Sequence, residues 1–378
     1  MDTFRGLAAV AVVWHHMIGG EMGVRSARVM AFFVISGYCI AASAESCLRK
    51  GIGARGFLLR RAWRIWPTYL LSLLYLVVMS ACGATTGGWA RVDRPLWVWL
   101  KNITLTQWTG QIHHPRPNAG SGKEWLVGVH WSLGYEVQFY AAVAIFMVIA
   151  AATRARLGVC FAFSIVAGLA WEITHPTLCY GWLGDYWVHF AIGAVVFYRL
   201  TRMPSAAARR GIDAGLAMLL GACVYVRWFA GIDWNPGRLV YYRVVYEQLA
   251  VAAGFGVALI ALRPLSERWD RWGWTRPLRW LGAISYSLFL VHDINRGLAA
   301  NLAGRMLPGG APAWLDHGVQ LVLHIALATA FWYLCERPFS RGSKHVAVSH
   351  APAQLTVEDW PIPPRPSTEG EGEGLSPA

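Results

Sequence analysis

The sequence predicts an all-α fold, a polytopic integral membrane protein with about ten transmembrane helices. Of the 378 residues, 56% are hydrophobic and only 15% are charged, and the mean hydropathy is +0.37, unlike an ordinary soluble domain. Apolar runs of roughly membrane-spanning length recur along the chain. The net charge of +13 is spread over the loops between these runs. This distribution favours topology signals and contacts with anionic lipid headgroups over nucleic-acid binding.

Ten apolar segments are candidate membrane spans. Several are shorter than a usual span, so one or two of them can be broken or re-entrant helices. The seven cysteines form no CxxC pair and show no metal-ligand spacing, and we therefore expect no metal site. The ten segments are residues 4–20, 28–44, 66–83, 131–152, 157–173, 186–200, 213–231, 242–262, 281–300 and 315–336.

The basic residues predict the topology. If the N-terminus is cytoplasmic, 22 of the 34 lysines and arginines lie on the cytoplasmic side, and the positive-inside rule then places both termini in the cytoplasm. Residues 1–340 are predicted to form one membrane domain. Residues 341–378 are predicted to form a cytoplasmic tail, which is rich in Pro, Gly and Glu from about Lys344 onward and is therefore expected to be disordered.

The first segment carries an arginine and a histidine on one helical face. Arg5 and His16 are eleven positions apart, which corresponds to three helical turns plus about 20° and a rise of about 16 Å. If this helix enters a bilayer of about 30 Å at Arg5, His16 lies near mid-membrane. An imidazole at that depth is costly unless it is paired or lines a cavity, so Arg5 and His16 are candidate functional residues.

The second segment contains the motif FFVISGY at residues 32–38, in which Ser36 and Gly37 interrupt an apolar run. Small residues in a membrane helix permit the close approach of a neighbouring helix or of a ligand. Tight helix packing and a ligand-contacting role for Ser36 both remain open.

The next loop carries the motif RRAWRIWPTY at residues 60–69. Arg61 and Arg64 are three residues apart and are neighbours on a helical face. With Arg60 beside them, they suit the bidentate recognition of phosphate. The alternative is an inside-positive anchor whose tryptophans lie in the aromatic belt. Pro67 is predicted to mark the break into the third span.

The fourth segment opens with HWSLGYEVQFY at residues 130–140. Ser132 and Glu136 are four residues apart and share a face. By helical rise, Glu136 lies about 8 Å into the segment from its outer end. A carboxylate at that depth must be paired, protonated or solvated. It can orient an imidazole, bind an acceptor or hold two helices together.

The ninth segment contains LGAISYSLFLVHD at residues 281–293. His292 lies about eleven residues into this segment, again near mid-depth. It is either a packing or hydrogen-bonding residue or a participant in chemistry. Together with Tyr286 of the same motif, Ser36 and Ser132, it is a candidate for lining a substrate site or pore.

These motifs, in this order, resemble membrane-bound acyltransferase family 3, whose members O-acetylate bacterial surface polysaccharides and some macrolides. The resemblance covers about residues 2–340. The family's arginine and histidine separated by ten residues correspond to Arg5 and His16, and its double-arginine motif corresponds to Arg61 and Arg64. The motifs that carry the resemblance are the Arg5–His16 spacing, FFVISGY, RRAWRIWPTY, WSLGYEVQFY, LGAISYSLFLVH and the closing CERPF.

The resemblance implies a bacterial inner-membrane enzyme that takes an acyl group from cytoplasmic acyl-CoA, expected to be acetyl-CoA. The group is transferred to a hydroxyl of a glycan or small-molecule acceptor. Such an enzyme must deprotonate the hydroxyl, hold the donor and stabilise an oxyanion. His16 is the predicted general base. Arg5, Arg61 and Arg64 are expected at the cytoplasmic mouth, near the phosphates of CoA. Glu136 is expected toward the outer mouth, or else as the group that orients His16.

Two other function classes remain open. A transporter or flippase of a glycan or lipid-linked intermediate would also have buried charges and many spans. It would be expected to show paired broken helices in two halves, and no such symmetry is visible in the sequence. A non-enzymatic scaffold or sensor would explain the helices. It would not explain why an arginine and a histidine share one face of a membrane-buried helix beside cytoplasmic arginines.

Overall fold

The computed structural model describes nine stretches of the chain, and every regular element in them is helical. The described stretches are residues 2–18, 22–85, 90–110, 124–153, 156–175, 181–203, 205–234, 239–269 and 272–342. The helices are α1 (Asp2–Ile18), α2 (Met22–Arg49), α3 (Ala54–Ala81), α4 (Leu96–Ile103), α5 (Trp131–Thr153), α6 (Leu157–Thr174), α7 (Trp187–Thr201), α8 (Ala206–Val224), α9 (Leu239–Ala261), α10 (Arg263–Trp269), α11 (Arg276–Ala283), α12 (Ser285–Val291), α13 (Arg296–Met306), α14 (Ala313–Phe331) and α15 (Arg337–Gly342).

The predicted all-α polytopic membrane fold is confirmed. Seven helical segments among the described residues are long and apolar enough to cross a membrane, and α7 is a shorter apolar helix. The count of ten stays a prediction. The first helix, α1, has 17 residues, and the predicted tail lies outside the described residues after Gly342. The seven segments are Val29–Arg49, Ala54–Ala81, Gly128–Thr153, Leu157–Thr174, Ala206–Phe229, Tyr242–Ala261 and Ala313–Phe339.

The arginine motif lies inside a helix, which corrects the predicted loop. Helix α3 begins at Ala54, includes RRAWRIWPTY and continues through Pro67 to Ala81. Hydropathy identifies only the apolar part of this helix, because its first turns carry arginines as well as the buried Phe57. Membrane helices tolerate an internal proline when neighbouring groups satisfy the freed carbonyl. Pro67 therefore does not end the helix, and a continuous helix positions the arginines.

The ninth predicted segment, residues 281–300, is not one continuous helix. It comprises the end of α11, all of α12 and the start of α13, with turns at Ile284 and at residues 292–295. The second turn contains His292 and Asp293, which are both buried. Interrupted backbone at membrane depth is tolerated where protein groups satisfy it or where it lines a cavity. The break therefore marks this region as a candidate site.

Helices α1 and α2 each pack against several other helices. Helix α1 packs against α2, α11, α12 and α14, and α2 packs against α3, α5, α7 and α9. Glycines bring α2 and α7 together, because a Cβ at Gly37 would overlap the carbonyl oxygen of Phe190 and one at Gly193 would overlap that of Val34. The two helices meet backbone to backbone, as small residues in membrane helices permit.

A second glycine pair joins α1 to α11. A Cβ at Gly6 would overlap the carbonyl oxygen of Leu278, and a Cβ at Gly282 would overlap that of Asp2. The contact sets the height of α1 against the segment that continues into α12.

A buried stack of phenylalanines joins α2, α5 and α7. The ring centroid of Phe190 lies 4.5 Å from that of Phe33 and 4.6 Å from that of Phe139, and both pairs are stacked. Such pairs contribute about 0.5–1.5 kcal/mol beyond the burial of their area. The stack holds the start of α5, with its predicted site residues, against α2.

The exchange Gly37→Ala adds one Cβ that would overlap the backbone of α7. We expect it to destabilise the protein by about 1–3 kcal/mol, as overpacking generally does. The matched control is Gly221→Ala on α8, where a Cβ meets no atom within 4 Å and alanine favours the helix by about 1 kcal/mol. Thermal unfolding in detergent measures both variants, and equal melting temperatures would contradict the close contact of α2 and α7.

Candidate active site

Six of the predicted site residues line one cavity between α1, α2, α3, α5 and α12. The empty space between these helices, with the open solvent at its mouth included, is about 740 Å³. Since Arg5 and Val12 both line it, it extends about 10 Å along α1. The predicted residues that line it are Arg5, Ser36, Arg64, Ser132, Glu136 and Tyr286. The other lining residues are mostly apolar and include Val29, Phe32, Phe33, Ile35, Leu133 and Phe289.

Two arginines from different helices contribute positive charge to the cavity. Arg5 is half-buried, whereas Arg64 is exposed although it lines the cavity, so its guanidinium lies at the mouth. Arg5 Nη1 lies 3.9 Å from Oδ1 of the exposed Asp2, a pair that contributes little. Both arginines interact electrostatically with Glu336. Two guanidinium groups in this arrangement can bind an anion such as phosphate.

The other two predicted arginines lie behind the cavity wall. Arg60 Nη1 donates to Cys47 Sγ at 3.9 Å. The guanidinium of Arg61 lies 5.7 Å from the ring centroid of Phe57 and 5.8 Å from that of Tyr140, which lines the cavity. The buried Nε of Arg61 has no hydrogen-bond partner within the described ranges.

The tryptophans of the arginine motif have different environments. Trp63 is exposed, as an aromatic-belt residue would be. Trp66 Nε1 donates to the carbonyl oxygen of Ile103 at 3.2 Å and so ties α3 to α4. Both interpretations of the motif stay predictions: Trp63 has the exposure that an anchor needs, and Arg64 lines the cavity.

Glu136 shares the cavity with Arg5 and Arg64. The Tyr140 hydroxyl, one turn further along α5, donates to Glu136 Oε1 at 2.6 Å. From the sequence, Glu136 was expected toward the outer mouth, away from the arginines. The structure instead places all three side chains around one cavity.

The antiparallel packing of α5 on α3 explains this position of Glu136. Tyr140 contacts Phe57 near the start of α3, and His130, which precedes α5, contacts Tyr69 further along α3. Glu136 lies between these two contacts. It therefore comes level with the arginine motif.

The two predicted histidines are hydrogen-bonded to each other. His16 Nδ1 lies 2.8 Å from His292 Nε2, and the two ring planes are inclined by 18°. The residues one turn earlier on the two helices, Val12 and Phe289, line the cavity. The histidine pair therefore lies one turn beyond that end of the cavity. Across the described ranges, no three His, Cys, Asp or Glu side chains form a group that could hold a metal ion.

The helix break positions His292. This residue directly follows α12, and its Nδ1 lies 2.9 Å from the carbonyl oxygen of Phe289 and 3.1 Å from that of Leu288. The last carbonyls of a helix lack intrahelical donors, and a histidine near the helix end can supply one. The Leu290 carbonyl oxygen lies 3.1 Å from Nε2 of His130. Carbonyls at the end of α12 are therefore bound by imidazoles.

The remaining predicted residues divide between lining and packing. Gly37 packs on α7, which confirms the helix-packing interpretation of FFVISGY. Ser36 and Ser132 line the cavity, and the ligand-contacting role of Ser36 stays a prediction. Tyr286 also lines the cavity, but its hydroxyl donates to the carbonyl oxygen of Ile65 at 3.1 Å. Tyr286 therefore fastens α12 to α3 beside the arginine motif.

Sequence reasoning missed Tyr140 and Glu336. The Glu336 carboxylate accepts hydrogen bonds from the backbone N–H of Ser287 at 3.1 Å and from its hydroxyl at 2.6 Å. Glu336 closes a π-helical turn after α14, Trp332–Glu336, and such turns are frequent at functional sites. A glutamate at the end of the last apolar segment was a usable signal, because carboxylates in membrane segments are costly.

The exchange Glu336→Ala removes the acceptor of both Ser287 donors. We expect a loss of about 1–3 kcal/mol, because these donors lose their partner. Glu336→Gln retains a carbonyl oxygen of similar reach and is the matched control. Thermal unfolding in detergent compares the two, and a Gln variant as unstable as the Ala variant would show that the hydrogen bonds are not the stabilising contribution.

The chain is similar to known acyltransferases along most of its length. The family described as an acyltransferase domain, acyltransferase family 3, matches residues 1–337. The protein named "Putative membrane-bound transacylase BcsY" of Komagataeibacter xylinus is 30% identical over 310 residues, which cover 77% of this chain and 71% of that protein. No solved structure matches the chain significantly. This chain therefore belongs to acyltransferase family 3 and is a multi-pass membrane acyltransferase.

Proposed function

We propose that this acyltransferase moves an acyl group, in the simplest case acetyl, from cytoplasmic acyl-CoA to a hydroxyl of a glycan or another cell-envelope acceptor. It would act as an O-acetyltransferase of the bacterial inner membrane. The observation that carries the proposal is the convergence of Arg5, Arg64 and Glu136 on one cavity, one turn from the hydrogen-bonded His16 and His292. Family membership favours this function over a transporter or flippase.

Arg5 and Arg64, which line the cavity, support the proposal that the acyl donor is anionic. Coenzyme A carries phosphates at one end of a flexible arm and the thioester at the other. Arg5 and His16 are separated by about 16 Å along α1, so the phosphates can stay at the arginines while the arm follows the cavity toward the histidine. Arg60 and Arg61, one turn earlier on α3 than Arg64, add positive charge behind the cavity wall. The unpartnered Nε of Arg61 within the described ranges supports a role in anion binding.

The proposed topology agrees with this direction of entry. With both termini cytoplasmic, the Arg5 end of α1 faces the cytosol, where acyl-CoA is available. The acceptor would approach the histidine end. Glu136, Ser36 and Ser132 line the same cavity, and their oxygens can accept hydrogen bonds from acceptor hydroxyls.

The proposed reaction needs one general base. The acceptor oxygen attacks the thioester carbonyl carbon as His16 takes the hydroxyl proton, and a tetrahedral oxyanion forms. Collapse of this intermediate breaks the C–S bond, and the proton passes from His16 to the departing thiolate. The products are the ester and free CoA thiol, and His16 returns to its neutral form.

The exchange His16→Ala removes the proposed base. We expect thiol release to fall by about 10²–10⁴-fold, the usual contribution of general acid–base catalysis. The assay follows free thiol from acetyl-CoA with purified protein in nanodiscs, supplied with candidate acceptors. His175→Ala, an exposed position at the end of α6, is the control. Full turnover by folded His16→Ala protein would exclude His16 as the base.

The exchange Arg64→Ala removes one cation at the mouth. We expect the apparent KM for acyl-CoA to rise by about tenfold, with a smaller effect on the KM for the acceptor, because a charge-assisted phosphate contact is lost. Arg55→Ala is the matched control, since Arg55 is an exposed arginine on the same helix that does not line the cavity. Equal effects on donor and acceptor would argue against a donor site at Arg64.

A further inference from the structure

We infer that His292 is a positioning residue that holds His16 in the tautomer protonated on Nδ1. The lone pair of His16 Nε2 is then the site that accepts the proton of the acceptor hydroxyl. This inference rests on the proposed role of His16 as general base. It adds which nitrogen reacts and what determines that choice.

The first step concerns the proton on His292. Its Nδ1 faces the carbonyl oxygens of Phe289 and Leu288 at 2.9 and 3.1 Å. A carbonyl oxygen only accepts hydrogen bonds. Nδ1 of His292 therefore carries the hydrogen and donates it to these carbonyls at the end of α12.

The second step concerns the proton on His16. A neutral imidazole carries one N–H, so Nε2 of His292 presents a lone pair. His16 Nδ1 lies 2.8 Å from this nitrogen and must supply the hydrogen of the bond. In neutral His16 the other nitrogen, Nε2, then holds the basic lone pair.

The surroundings hold the pair in this arrangement. The rings are inclined by only 18°, with centroids 5.0 Å apart, and the N···N distance is that of a hydrogen bond rather than of stacked faces. His292 is 2% exposed, so bulk water does not compete for its nitrogens. His292 also directly follows α12, which restricts rotation of its ring.

This arrangement has the logic of a catalytic triad, in which a third group fixes the tautomer of the base and stabilises its protonated form. Here the third group is an imidazole held by backbone carbonyls. When His16 takes the hydroxyl proton on Nε2, its Nδ1–H bond to His292 remains. No proton passes between the two rings, and His292 keeps its own proton throughout.

From the sequence, Glu136 was a candidate for orienting His16. In the structure, Glu136 Oε1 instead accepts a hydrogen bond from Tyr140, and Glu136 lines the cavity. The hydrogen bond that His16 Nδ1 donates to His292 Nε2 assigns the role to His292.

The first test is spectroscopic and does not require turnover. Protein labelled with ¹⁵N-histidine in lipid gives separate resonances for protonated and bare imidazole nitrogens, and the signals lost in His16→Ala identify His16. We expect protonated Nδ1 and bare Nε2 in the neutral wild type, and a loss of this single tautomer in His292→Leu. A wild-type His16 protonated on Nε2 would overturn the inference, whether or not the protein turns over acyl-CoA.

The second test is kinetic. His292→Leu removes the acceptor of the His16 hydrogen bond. We expect kcat to fall about 10–100-fold, as it does when other residues that orient a reactive group are replaced. The KM for acyl-CoA is expected to stay within about twofold of the wild-type value. His292→Gln provides a carbonyl oxygen that can accept from His16 Nδ1, and we expect it to recover at least a tenth of wild-type kcat. If His292→Gln restores the His16 tautomer but stays as inactive as His292→Leu, His292 acts in another way and the positioning role is wrong.

Discussion

The backbone contact between α1 and α11 sets the register on which the site depends. Gly6 and Gly282 bring the two helices so close that neither position has room for a Cβ. Membrane helices associate through packing and hydrogen bonds rather than through the hydrophobic effect, so such contacts decide their relative heights. A slip of α1 by one turn, about 5.4 Å, would break the 2.8 Å hydrogen bond between His16 and His292. It would also move Arg5 away from the level of Glu136 and Arg64.

Elsewhere among the described residues, two buried carboxylates lie beside basic side chains. His189 and Glu172, each at most 3% exposed, lie 3.3 Å apart, and Arg227 lies 2.6 Å from Glu247. Pairs of this kind are needed because an isolated charge in an apolar bundle is costly. At the cavity, Arg64 is exposed at the mouth and the guanidinium of Arg5 makes a long contact with Asp2. Two cationic groups thus lie where the cavity opens.

Part of the site could be predicted from the sequence, because spacing along a helix and helical face are local properties. The spacing of Arg5 and His16 and the shared face of Ser132 and Glu136 needed only helix geometry. The start of α3 could not be predicted in this way, because the arginines in its first turns lower the hydropathy of that part of the helix. The break after α12 could not be predicted either, because His130, 160 positions away in the chain, binds the carbonyl oxygen of Leu290 there. His16 and His292, 276 positions apart, leave no local signal of their bond.

The contrast between α1 and the α11–α13 segment suits the proposed chemistry. Helix α1 is continuous from Asp2 to Ile18, so helical rise sets the separation along it of Arg5, the proposed donor-binding residue, and His16, the proposed base. The facing segment is interrupted at Ile284 and after Val291, which lets Tyr286 bind α3 while His292 turns toward His16. The continuous helix α1 therefore sets the distance that the thioester would span in the proposed reaction. The interrupted α11–α13 segment offers polar groups to its neighbours that a regular helix would use in its own backbone hydrogen bonds. Placing reactive groups on rigid elements with separate supporting contacts is the arrangement that holds a site most accurately.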